Sequence, residues 1–124
     1  MVNYKGIILS LGSNIGDRET NLSLALLELA SIAQIKRVSS IYETEALLMK
    51  NQANFYNIAI EIEYSKNANN LLDEIKTIEI NLGRKKIIRY GPRIIDIDII
   101  FFRGENISTD LLTIPHYALS LIHI

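Results

Sequence analysis

Cysteine and tryptophan are missing from this chain, and its 124 residues include only two prolines, two methionines and two histidines. Without cysteine there is no disulfide, no thiolate nucleophile and no sulfur ligand for a metal. That suits a reducing compartment, and a cytoplasmic location is expected. Excess charge of one sign is lacking too. Thirteen basic and 14 acidic residues leave a net charge of -1, so no global field draws the chain to nucleic acid or to an acidic membrane surface. Long apolar runs are absent, since none reaches the ~20 residues that span a bilayer. The start, Met1-Val2-Asn3-Tyr4-Lys5, runs directly into a strand-like segment with no signal-peptide pattern. The expectation is one domain over residues 1–124, a monomer, with neither nucleic acid nor membrane as partner.

What is present is a hydrophobic fraction of 48%, enough for one core. Lys5 to Leu11 reads as a buried strand, and Gly12-Ser13-Asn14-Ile15-Gly16-Asp17 is dense in turn residues. Leu22, Ala25, Leu26, Leu29, Ala30 and Ala33 form one helical face, with Asp17 as its N-cap. Ile35 to Glu43 reads as a second strand, followed by a loop-like stretch to Asn54. From Phe55, Ile58, Ile60, Ile62 and Tyr64 alternate with Asn57, Ala59, Glu61 and Glu63, the pattern of a half-buried strand. Ser65 to Asn70 reads as a turn. Leu71, Leu72, Ile75, Ile78, Glu79 and Leu82 trace a second amphipathic helix, with Gly83 at its C′ position. A strand over Ile94 to Phe102 follows, and the tail from Asn106 is weakly patterned. The order β-α-β-β-α-β predicts an α+β fold of the ferredoxin-like kind, an antiparallel sheet with helices packed on it.

The last strand carries the chemistry. Asp96 and Asp98 alternate with isoleucine, so both carboxylates point to one face, roughly 7 Å apart at about 3.3 Å rise per residue. Two like charges that close repel and lose hydration unless a cation lies between them. Aspartate oxygens are hard ligands, which favours Mg²⁺, and Mg²⁺ usually arrives with substrate phosphates. The plainer reading is a solvated strand edge, but aspartate has poor β propensity and two in one short strand break a local rule. Arg84, Lys85, Lys86, Arg89 and Arg93 put five cations within ten residues just before it. They match polyphosphate oxygens, or else form a solvated loop or a small RNA-binding patch.

Other features are weaker. The Gly12-to-Gly16 turn lies between a strand and a helix, as phosphate loops do, but matches neither common glycine motif, and a tight Asx-type turn is the better reading. Phe55 and Asn57 share a strand face and can stack on a flat heterocycle and read its edge; a rim phenylalanine beside a capping amide is the plainer account. His116 is a lone histidine near the chain end, either structural or one more phosphate donor. Glu79 lies on or beside the apolar stripe, where a solvated boundary position is the plainer reading.

Taken together, the segments Leu11-Gly12-Ser13-Asn14-Ile15-Gly16-Asp17-Arg18 with Asn21-Leu22, Ser39-Ser40-Ile41-Tyr42-Glu43-Thr44, Phe55-Tyr56-Asn57, Glu79, Gly83-Arg84, Gly91-Pro92-Arg93-Ile94-Ile95-Asp96-Ile97-Asp98-Ile99 and Thr113-Ile114-Pro115-His116-Tyr117 resemble the 6-hydroxymethyl-7,8-dihydropterin pyrophosphokinase family of the folate pathway. The resemblance runs from Leu9 to about Tyr117. It implies a ferredoxin-like fold and transfer of pyrophosphate from ATP to the pterin hydroxymethyl group, with release of AMP. By the same resemblance, Asp96 and Asp98 hold two Mg²⁺ ions on the ATP phosphates and, with Arg84 and Arg93, form the catalytic group. ATP is held by Arg84, Lys86, Tyr90, Arg93, His116 and Tyr117, with Glu79 at the ribose. The pterin meets Thr44, Glu45 and Leu47 largely through backbone, with Asn57, Phe55 and Asp96 beside it. Tyr90 stands where the family usually has Trp, and Lys85 and Lys86 match a mobile basic loop one residue shorter here.

The resemblance also implies a difference. After His116-Tyr117 the family continues with an Arg on phosphate and a Phe that walls the pterin. Those positions are Ile122 and Ile124 here, where the sequence ends, so the family's usual C-terminal segment is expected to be lacking. A base–aromatic stack contributes ~1–3 kcal/mol, so its loss weakens binding by about ten- to a hundredfold. Two rivals stay open: a shortened relative that binds nucleotide or pterin without efficient turnover, and an RNA-binding ferredoxin-like module.

Overall fold

The structure, a computed structural model, describes residues 4–45, 53–83 and 94–116. The elements run β1 (Ile7–Ser13), α1 (Arg18–Ala30), β2 (Gln34–Val38), β3 (Tyr42–Thr44), β4 (Phe55–Glu63), α2 (Ala68–Asn81), β5 (Asp96–Phe102), β6 (Ile107–Ser108) and β7 (Thr113–Ile114). The main sheet has the order β2-β4-β1-β5, with β3 also on β4, and its pairings are antiparallel. Each helix therefore joins two strands that have a third between them, the split βαβ connection of an α+β, ferredoxin-like fold.

One face of the sheet is the core. Leu9 and Leu11 of β1, Ile58, Ile60 and Ile62 of β4, and Ile97 and Ile99 of β5 meet Leu22, Ala25 and Leu29 of α1 and Leu71, Ile75 and Ile78 of α2. Alternation sends the partners of these residues to the other face, which carries no helix among the described residues. The helix starts are capped as short polar side chains allow: Asp17 accepts from the Thr20 amide at 3.1 Å, and Asn67 from the Asn70 amide at 2.9 Å. Gly83, at φ 98°, takes the left-handed conformation that ends α2.

Several expected boundaries move. The strand expected over Ile35 to Glu43 is two strands, β2 and β3, both on β4. Between them Ser39 keeps the chain tied: its amide donates to the Ala59 carbonyl, and its hydroxyl accepts from the Ala59 amide, each at 2.9 Å. A serine side chain thus replaces a ladder bond and lets the strand break. Gly12 and Ser13, expected in a turn, continue β1. Helix α1 stops at Ala30, so Ala33 packs on the core from outside it. Helix α2 begins at Ala68, inside the expected turn, and the tail forms the β6–β7 hairpin, which buries Leu112 and Ile114.

Strand β4 is not half-buried in its middle. Ala59 and Glu61, expected to be solvated, are buried, because β4 lies inside the sheet and its outer face is covered. The Tyr4 hydroxyl donates to Glu61, the Tyr4 ring packs on Phe101 with centroids 5.5 Å apart, and Arg37 reaches Glu61 at 2.9 Å. The Tyr4 hydrogen bond, with help from Arg37 and Lys36, holds the Glu61 carboxyl below its ordinary value against the opposing effect of burial. A depressed folded value means stabilisation that is full above the unfolded carboxyl's titration range and is lost as pH falls through the folded one. Glu61→Gln should therefore lower stability at neutral pH by about 1–2 kcal/mol, with the gap to wild type closing as pH drops below about 4. Denaturant melts across pH read this directly; a gap undiminished at low pH would remove the charge from the account.

Candidate active site

The site assembles on the face of the sheet opposite α1 and α2, around the end of β1. In register, Gly12 lies between Asn57 of β4 and Asp96 of β5, and Asn57 in turn faces Tyr42 of β3. One row along, Ser10 lies between Ala59 and Asp98. Directly paired residues share a face, so Asn57, Gly12, Asp96, Ser10 and Asp98 all project to the same side. Phe55, two residues before Asn57, joins them. Asp96, Asp98, Asn57 and Phe55 are each partly exposed, accessible to a ligand yet held by the sheet. Glycine at the centre of the row matters sterically. A Cβ on residue 12 would come within 3.0 Å of the Asn57 Oδ1 and 3.2 Å of the Phe55 ring.

Asn57 braces its surroundings. Its Nδ2 donates to the Thr44 hydroxyl at 2.9 Å and to the Tyr42 carbonyl at 3.2 Å, which fastens β3 beside the row and brings Thr44 and Glu45 to the same corner. The loop after β1 is stitched from several directions. Asn14, 3% exposed, donates to the Ala53 carbonyl at 3.2 Å. Arg18 donates to the Asn54 carbonyl at 2.7 Å and lies 3.8 Å over the Tyr56 ring. Asn21 reaches the Ser13 hydroxyl and the Ile15 carbonyl. Beyond any local turn contact, the loop is tied to the 53–54 segment and to α1. Sequence reasoning gave no role to Ser10, Asn14, Arg18 or Asn21. Polar residues crowded around a tight turn were the available signal, but their partners lie up to 39 positions away.

On the opposite side of the row, β5 is the last strand of the sheet among the described residues. Its register slips by one residue at Ile100, opposite the Ile8–Leu9 step, and the Ile100 carbonyl accepts from the His116 amide at 2.8 Å. That bond brings His116 back to β5, where its half-buried imidazole feels the charge of Asp96. Burial lowers the imidazole's proton affinity more than Asp96 restores it, so at neutral pH the ring is uncharged and offers one N–H donor. Glu79 corrects an expectation. It is 3% exposed, not a solvated boundary residue, and its Oε2 accepts from the Ile97 amide at 2.9 Å.

Of the expected site residues, Thr44, Glu45, Phe55, Asn57, Glu79, Asp96, Asp98 and His116 are described. Leu47, Arg84, Lys85, Lys86, Tyr90, Arg93 and Tyr117, with Ile122 and Ile124, lie outside the described residues. Among the described residues no group of three or more His, Asp or Glu side chains could enclose a metal. Two carboxylates on one partly exposed face nevertheless fit Mg²⁺, which keeps several waters and takes one or two carboxylates together with substrate phosphates. The same donor set fits poorly to a closed four-ligand structural metal.

Residues 8–122 match the family described as 7,8-dihydro-6-hydroxymethylpterin-pyrophosphokinase. The chain is similar to the 2-amino-4-hydroxy-6-hydroxymethyldihydropteridine pyrophosphokinase of Bacillus subtilis, with 47% identity over 110 residues, 87% of this chain and 66% of the relative. The protein of that name from Aquifex aeolicus is 40% identical over 89% of this chain and 69% of its own length. A mitochondrial folate synthesis bifunctional protein of Pisum sativum is 40% identical over 89% of this chain but 22% of its own length. The chain thus spans about two thirds of the bacterial relatives and a fifth of the plant one.

The glycine in the row yields a test. Gly12→Ala should push the Phe55 ring and the Asn57 amide off their positions and lower stability by about 1–3 kcal/mol, the usual range for overpacking. A thermal melt within 1–2 °C of wild type (roughly a few tenths of a kcal/mol) would show that the row tolerates a side chain at its centre.

Proposed function

Because this chain belongs to the 7,8-dihydro-6-hydroxymethylpterin-pyrophosphokinase family, we propose that it transfers pyrophosphate from ATP to the hydroxymethyl group of 6-hydroxymethyl-7,8-dihydropterin. In that reaction the pterin hydroxyl oxygen attacks the β-phosphorus. The bond from that phosphorus to the α,β-bridging oxygen breaks, AMP leaves with that oxygen, and the hydroxyl proton passes to solvent. The observation that carries the reading is the row Asn57–Gly12–Asp96, which sets a heterocycle-reading amide and a carboxylate on either side of a bare backbone.

Each group has a distinct task. Phe55 offers a ring face to the pterin, and Asn57, with the backbone of Thr44, Glu45 and Leu47, reads its polar edge. Asp96 lies nearest that edge and, together with Asp98, holds the Mg²⁺ that accompanies ATP. When bound, that ion neutralises phosphate charge and orients the polyphosphate. Arg84 and Arg93 supply guanidinium charge to the phosphates. Lys86, Tyr90, His116 and Tyr117 complete the nucleotide side, with the uncharged His116 acting as a hydrogen-bond donor. Transfer of this kind depends on placing the hydroxyl in line with the leaving oxygen more than on covalent chemistry, which agrees with a chain that lacks cysteine. No helix among the described residues is long and apolar enough to cross a membrane, and the reading puts a monomer in the cytoplasm, acting on two small molecules.

The test is AMP release from Mg-ATP and the dihydropterin by the purified chain. Asp96→Ala and Asp98→Ala should each lower turnover at least a hundredfold, about what losing several kcal/mol of charge stabilisation implies, with circular dichroism and melting point near wild type. Wild-type turnover in either variant rejects the carboxylates' role. Nucleotide binding by calorimetry with no AMP formed would mark the chain as a binder rather than an enzyme.

A further inference from the structure

We infer that Glu79 is a positioning residue for the two aspartates, acting through the backbone between them. The inference rests on the proposed metal role of Asp96 and Asp98. Three observations lead to it. Glu79 occupies an apolar-stripe position of α2, four residues beyond the buried Ile75 and eight beyond the buried Leu71, and is itself 3% exposed. A carboxylate in such a place is retained only where it has a hydrogen-bonding task. Its Oε2 accepts the amide of Ile97 at 2.9 Å, in a bond that is buried. And Ile97 is the residue between Asp96 and Asp98, on a strand whose only sheet neighbour among the described residues is β1.

An edge strand is held by a ladder on one side only, so it can twist about its length more freely than an inner one. A twist at Ile97 would swing both flanking carboxylates together, because they project from the same face. The Glu79 carboxylate accepts the outward amide at that residue, as a second strand would, and ties it to α2. It thereby sets the direction of both aspartates through the backbone. The resemblance instead implies contact between Glu79 and the nucleotide ribose, and the two roles make different predictions.

The experiment compares wild type, Glu79→Met, which keeps volume and helix propensity but removes the acceptor, and Glu79→Gln, which keeps an acceptor oxygen. Affinity for Mn²⁺, measured by electron paramagnetic resonance, is read in the presence of a non-hydrolysable ATP analogue and of its 2′,3′-dideoxy counterpart. Hydrogen exchange of the Ile97 amide is read without ligand. The expected result is faster Ile97 exchange and a Mn²⁺ affinity lower by about 10- to 100-fold in Glu79→Met, the usual cost of losing a residue that orients a metal ligand. The loss should be equal with both nucleotides, and Glu79→Gln should stay within about threefold of wild type, well short of that range. A loss confined to the nucleotide that bears ribose hydroxyls overturns the inference in favour of ribose contact, and unchanged Mn²⁺ affinity in Glu79→Met overturns it outright. If Glu79→Met does not fold, a Glu79→Gln variant that loses more than threefold overturns it, since the bond rather than the charge is the claim. A wild type that binds no Mn²⁺ with nucleotide fails the metal reading itself, and the inference with it.

Discussion

Strand β1 pairs on both sides, and its last residues carry almost no side chain. Gly12 is flanked by Asn57 and Asp96, so a position with no side chain separates an amide on one side from a carboxylate on the other. Everything else in the site refers to that arrangement. Antiparallel pairing fixes which residues are opposite one another, and alternation fixes which face they share. A one-residue slip would send Asp96, Asp98 and Asn57 into the helix-packed core and lift Ile97, Ile99 and Ile58 out of it. The apolar core therefore enforces the polar site: the buried isoleucines make any other register far less favourable.

Around that row, the protein replaces missing backbone pairing with side chains. Ser39 bridges the gap between β2 and β3, Asn57 holds the Tyr42 carbonyl, Asn14 holds the Ala53 carbonyl, and Glu79 takes the Ile97 amide. Each occurs where the ladder is interrupted or ends, and each gives a backbone group a side-chain partner. Among the described residues β5 is the last strand of the sheet, and its outer side is tied by Glu79 at Ile97 and by the His116 amide at Ile100.

The two helices, the core faces, the cap at Asp17 and the Gly83 terminus follow from local pattern, because periodicity and turn chemistry act over a few residues. The pairing of Asp96 with Asp98 was legible for the same reason. The boundaries that moved did so through distant partners. Ser39 breaks a continuous-looking strand because Ala59 lies 20 positions away to receive it, and Glu61 is buried because Tyr4, 57 positions away, folds over it. Glu79 looked solvated in a helical pattern that could not reveal the Ile97 amide above it.

The sequence by itself determined the fold class, the two helices, the strand that presents two carboxylates to one side and the family to which the chain belongs. Only the tertiary structure decided that Gly12 separates Asn57 from Asp96, that Asn14 and Arg18 anchor the loop beside them, and that Glu79 reaches the backbone between the aspartates. The physical reason is range: hydrophobic periodicity and capping are written in neighbouring residues, whereas strand register and buried hydrogen bonds exist only once segments far apart in the chain have been packed together.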